Sequence, residues 1–166
     1  MRYITATQKG LITGSVLVAL VLFFYYGLKW PLFGNEQYVI YSLYTVGVVW
    51  NLLSFNRNKE QEKKFKDYFS EGFKTFIVVT LLMVVFTFIF FSIDTSLRDR
   101  GITENNALLL KEGNHTPAEI EKNADQMKKI FMPMMLGITT FKYLALGALV
   151  SVVGAGFLAN RNDRSV

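Results

Sequence analysis

Lys142 is the side chain whose surroundings most invite a chemical role. It stands in the run Pro133–Ala159, which holds no other charge. A lysine inside an apolar helix is by default a counter-ion, a proton relay or an anchor for an anionic substrate. Tyr44 and Asn51 come next. Tyr44, Gly47, Asn51 and Ser54 recur at i, i+3, i+7 and i+10 and so share one helical face. Lysine, amide and phenol facing one another across a membrane would line a polar path for a small solute or a lipid. Two simpler uses compete with that one: interhelical hydrogen bonds for the stripe, and for Lys142 an ammonium that snorkels to the membrane surface. Lys142 shares its face with Ile138, Leu146, Leu149 and Val153. Opposite them Gly147, Ser151, Ala155 and Ala159 form a ladder of small residues at i+4 spacing, a seam for close helix packing. A further set is Lys63, Lys64 and Lys66, whose charges suit anionic lipid head groups.

Other chemistry is excluded by composition. The chain has no cysteine, which removes disulfides, thiolate metal sites and cysteine nucleophiles. Its one histidine, His115, lies in a polar segment, so neither a histidine metal cluster nor a Ser-His pair within the membrane can be built. No glycine-rich phosphate loop, nucleotide fingerprint or pair of intramembrane carboxylates is present. The expectation is a protein with no catalytic residue, cofactor or metal, and not an enzyme. A net charge of +5 would suit nucleic acid, but the basic residues flank apolar blocks. Membrane lipids are therefore the expected partners, together with a second membrane protein or a second copy of the chain, and nucleic acid is not.

Four apolar runs must position these residues. Thr75–Ile93 is the most decisive: nineteen residues without a charge, a glycine or a proline. As a helix it is ~28 Å long, close to the ~30 Å hydrocarbon thickness of a bilayer. The hydropathy pattern predicts an all-α membrane protein with four transmembrane helices, over about residues 10–30, 37–55, 75–93 and 133–159. A basic interfacial helix is expected over about 59–74. There Glu60–Lys64 and Glu62–Lys66 make i, i+4 pairs beside an aromatic face of Phe65, Tyr68, Phe69, Phe73 and Phe76. An outer amphipathic helix is expected over about 117–132. Thr116-Pro117-x-Glu119 starts it, Ile120, Ala124, Met127 and Phe131 give it one apolar face, and Pro133 should bend the join to the last span. The chain as a whole, 1–166, is expected to be a single four-helix transmembrane domain, with 94–132 as an outer segment between the third and fourth spans. The pair Gly10-x-x-x-Gly14 permits close helix approach but sits at the edge of its apolar run.

Four spans put both termini and the 56–74 segment on one side. That side carries ten Lys or Arg and five acids, against seven and eight on the other, with Lys142 left out. The excess of basic residues places the first side in the cytoplasm.

Several stretches also go together as a set. Lys9-Gly10-Leu11-Ile12 opens the first span, Phe69-Ser70-Glu71-Gly72-Phe73-Lys74 precedes the third, and Ser92-Ile93-Asp94 closes it. Pro117-Ala118-Glu119-Ile120-Glu121 stands in the charged outer loop, and small residues run to a basic end. The set resembles a domain-of-unknown-function family of small four-span inner-membrane proteins of the Bacteroidota. That resemblance implies a bacterial inner-membrane location and the same topology, and brings no activity, cofactor or catalytic residue. The expected role is a non-enzymatic structural or accessory subunit contacting another membrane protein or lipid. The alternative is a small transporter or lipid-handling protein using the polar face of the second span and Lys142.

Overall fold

A computed structural model describes residues 4–30, 36–57 and 63–163, the side chains of Glu36, Asn162 and Asp163 excepted. In chain order these form α1 (Ala6–Leu22), a π-helical turn (Phe23–Gly27), α2 (Glu36–Asn56), α3 (Phe65–Ile93), α4 (Ser96–Glu112) and α5 (Pro117–Asp163). No strand occurs among the described residues. Four helical stretches are long and apolar enough to cross a membrane: Ala6–Gly27, Gln37–Asn56, Phe65–Ile93 and Pro117–Arg161.

The ends of these elements follow local chemistry. Thr5 caps α1 in a reciprocal box: its hydroxyl accepts from the Gln8 N–H at 3.2 Å, and the Gln8 side chain accepts from the Thr5 N–H at 3.0 Å. The first helix therefore begins four residues before its apolar run, and Lys9 falls inside it. At the far end Lys29 adopts a left-handed φ of 54°, and the Trp30 N–H reaches back to the Phe24 carbonyl at 3.0 Å. This satisfies a carbonyl that the helix end would otherwise leave open.

The basic segment does not form a separate helix in the surface plane. Within its described part, 63–74, residues Phe65–Lys74 are the opening of α3, which continues without a break through the apolar run to Ile93. Nothing there ends a helix, since Gly72 alone weakens propensity without stopping propagation. The expected aromatic face also turns partly inward: Tyr68 and Phe76 are buried, while Phe65 and Phe73 remain exposed. Residues 58–62, with Glu60 and Glu62, lie outside the described residues.

The outer helix likewise continues into the last span. α5 starts at Pro117, where the Glu119 carboxylate accepts from the Thr116 N–H at 2.8 Å and the Thr116 hydroxyl accepts from the Glu119 N–H at 3.3 Å. Pro133 removes one backbone donor inside α5 and does not end it. Replacing Thr116 by alanine should cost this helix start about 1 kcal/mol. Amide hydrogen exchange at Glu119 and Ile120 should speed up accordingly, with the exchange of α2 unchanged.

α4 has no counterpart in the sequence-based expectation. Its seventeen residues carry no periodic apolar stripe, and Ile102 is its one buried residue. Its caps are more informative. Asp94 accepts from the Ser96 N–H at 3.0 Å, and Gly113 ends the helix at a φ of 68°, where a side chain would strain the backbone. Hydrogen bonds from Arg98 Nε and the Thr95 hydroxyl, both 2.9 Å, hold the Asp99 carboxyl below the usual carboxylate range. A lowered value in the fold means support that is complete above the unfolded value of about 4 and is lost as pH falls through the folded value. Protection of the first turn of α4 should therefore fade in that acidic window, as read by exchange corrected for intrinsic rate.

The chain divides into two compact units, residues 1–83 with 140–166, and residues 84–139. In the first, α1, α2, the start of α3 and the C-terminal part of α5 pack around Leu17, Tyr44, Val48, Leu52, Tyr68 and Val79, all essentially closed to solvent. In the second, Ile102, Ile120 and Ala124 are buried. There Asn105 donates to the Asn123 side chain at 2.9 Å, and the rings of Phe91 and Phe131 meet edge to face at 5.3 Å.

Candidate functional site

The polar face of α2 is turned into the first unit. Tyr44 is 0% exposed and Asn51 1%. The Tyr44 hydroxyl donates to the Tyr143 carbonyl at 2.9 Å, and the two rings meet nearly perpendicular at 5.3 Å. The Asn51 amide donates to the Glu71 carbonyl of α3 at 2.9 Å, while its side-chain oxygen is buried with no partner among the described residues. Gly47 faces Thr13 of α1 so closely that a Cβ would lie 2.4 Å from the Thr13 methyl. Ser54 turns back on its own helix, donating to the Trp50 carbonyl at 2.7 Å. One stripe thus meets α1, α3 and α5 in turn.

The small residues of α5 occupy the other side of these contacts. A Cβ on Gly147 would lie 2.5 Å from the Phe76 Cβ and 2.2 Å from the Tyr44 hydroxyl. Ser151 is buried against Gly72. Ala155 belongs to a cluster with Leu52, Tyr68 and Leu158, and Ala159 packs on its edge. Gly10 and Gly14 bring α1 onto α3: a Cβ on Gly10 would meet the Thr75 carbonyl at 2.9 Å, and one on Gly14 would meet Leu82 at 3.2 Å. The Thr75 hydroxyl donates back to the Ala6 carbonyl at 3.3 Å.

Lys142 lies apart from this interior. It is exposed on α5, and its ammonium donates to the Gln37 side chain at 3.4 Å. The structure does not bring it together with Tyr44 or Asn51, which are closed inside. Lys63 has its own partner, since its ammonium donates to the Phe55 carbonyl and sits 4.5 Å from the centre of the Phe55 ring. A cation there completes the C-terminal end of α2. Lys64 and Lys66 are exposed.

Lys9 is a second lysine within a span that the apolar pattern did not reveal. It is 7% exposed, with its ammonium 5.7 Å from the centre of the Trp50 ring on α2. A cation over an indole face is favourable where water is scarce. Thr5-x-x-Gln8 is the signal that would have found it, because the capping box starts the helix before Lys9.

Four spanning helices, with their polar groups bonded to one another across helix contacts, define a multi-pass helical membrane protein. The chain belongs to the DUF4199 family, proteins of unknown function, whose family model matches residues 8–160. No curated protein and no solved structure matches it.

Proposed function

We propose that this protein is a non-enzymatic structural or accessory subunit of a bacterial inner membrane. It contacts another membrane protein or lipid, and both its termini are cytoplasmic. The observation that carries the reading is the use made of polar groups in the spans. Tyr44, Asn51 and Thr75 all donate to backbone carbonyls of neighbouring helices. Such groups hold helices together in lipid and leave little to act on a substrate. The basic excess on the side of the termini supports the orientation. The alternative, transport along the polar face of α2, has weaker support, because that face is filled by Thr13, Glu71 and Tyr143.

Cross-linking in native membranes followed by purification in mild detergent tests the reading. One membrane protein recovered in fixed ratio, or a retained lipid, is the expected result. A bare monomer, with neither lipid nor partner, would overturn it. A reporter fused after Val166 should be active only in its cytoplasmic form.

A further inference from the structure

A groove runs along the outside of the α2–α5 contact, lined by Tyr41, Phe141, Lys142, Ala145, Leu146 and Leu149. Its walls are almost entirely carbon, and Ala145 is the one small side chain among bulky ones. The polar groups gather at one end. Gln37 accepts there from the Tyr41 hydroxyl at 3.2 Å and from the Lys142 ammonium at 3.4 Å.

The depth of that end follows from the helix it belongs to. α2 has 21 residues, ~31 Å of helix and so about one hydrocarbon thickness. Gln37 stands in its first turn, which lies at the head-group level on the side away from Lys63 and Phe55 at the helix's other end. Gly154 of α5 stands against Leu52 of α2, so the two helices run down the membrane together. From Lys142 the groove follows α5 to Leu149, ~10 Å by helix rise and most of one leaflet's ~15 Å.

Lys142 has three donors, and its one partner among the described residues is Gln37. No carboxylate among them pairs with it. An ammonium at the edge of hydrocarbon favours a neighbouring anion. A cation at phosphate depth above an apolar slot matches one class of molecule by charge and by shape. We propose that this groove seats an acyl chain of an anionic phospholipid from the surrounding leaflet, with its phosphate on Lys142 and the ammonium aimed by Gln37 and Tyr41. The assignment rests on the chain's place in a membrane and not on its having a protein partner, so either can fail alone.

The test is native mass spectrometry of the full-length chain, delipidated in mild detergent and titrated with phosphatidylglycerol or with phosphatidylcholine of the same chains. The wild type should hold one phosphatidylglycerol about tenfold more tightly, because phosphatidylcholine offers the same phosphate but its trimethylammonium cancels the charge beside Lys142. Lys142→Gln should bring that ratio close to one, and Lys142→Arg should keep it. Ala145→Phe, which fills the slot and leaves the charge, should weaken both lipids. Glycerol phosphate without chains should not displace the bound lipid, and a Lys64→Gln, Lys66→Gln double variant should bind like the wild type. All variants lie on the exposed surface, and gel filtration shows whether each is folded. Equal affinity of the wild type for the two lipids, a preference that survives Lys142→Gln, or affinities that Ala145→Phe leaves unchanged, would overturn the assignment.

Discussion

Gly147→Ala should destabilise the protein by about 1–3 kcal/mol, the usual cost of overpacking a tight interior. The added carbon would stand 2.5 Å from the Phe76 Cβ and 2.6 Å from its Cγ. Those atoms are fixed to the α3 backbone and cannot swing aside as a side-chain tip would, so α3 and α5 must part. Separation loosens Tyr44 as well, because its hydroxyl sits in the same gap. Gly156→Ala is the control. Nothing lies within 4 Å of the Cβ it would add, and alanine is favoured over glycine inside a helix by about 0.5–1 kcal/mol. The measurement is unfolding in mixed micelles with increasing dodecyl sulfate. A lower midpoint for Gly147→Ala, with an equal or higher one for Gly156→Ala, is expected. Equal midpoints for the two would mean that the α3–α5 contact is not close.

Tyr44→Ala should cost about 3 kcal/mol, toward the lower end of the range for removing a large buried ring. The low end applies because in lipid the unfolded helices are already out of water. What is lost is packing and the cavity left behind, not transfer from water. Tyr44→Phe keeps the ring against Tyr143 and removes only the hydrogen bond to the Tyr143 carbonyl. A loss of about 1 kcal/mol is expected. This graded pair separates a structural tyrosine from one that lines a path. A path residue would leave the unfolding midpoint in place when its hydroxyl is removed and would alter flux instead.

The four spans are legible in the sequence, because hydrocarbon imposes both a length and a composition on what crosses it. The expected stretches over 75–93 and 133–159 lie within Phe65–Ile93 and Pro117–Arg161, and the second span agrees to within a residue. The start of α5 was equally legible, since a Thr-Pro-x-Glu cap acts within one turn. α4 was not, because its leucines come in a run and leave no stripe to detect. Gly10 and Gly14 cannot be told from a chance pair by the apolar run alone, which begins at Gly10. The box at Thr5 moves the helix start to Ala6, so both glycines stand inside α1, where they pack against α3.

The division between what was readable and what was not follows the range of the forces involved. Burial in lipid and helix capping act on neighbours in sequence, so the order of residues by itself determined the helical class, the number of crossings and two of the helix starts. Which helix lies against which depends on close packing and single hydrogen bonds between residues far apart, such as Gln37 with Lys142 or Asn51 with Glu71. Lipid offers no hydrophobic drive to prefer one helix pairing over another. The sequence already set Lys142 opposite the small-residue seam and offered interhelical bonds for the stripe. Only the tertiary structure could decide the partners, Tyr143 and Glu71 for the stripe and Gln37 for Lys142, above a groove.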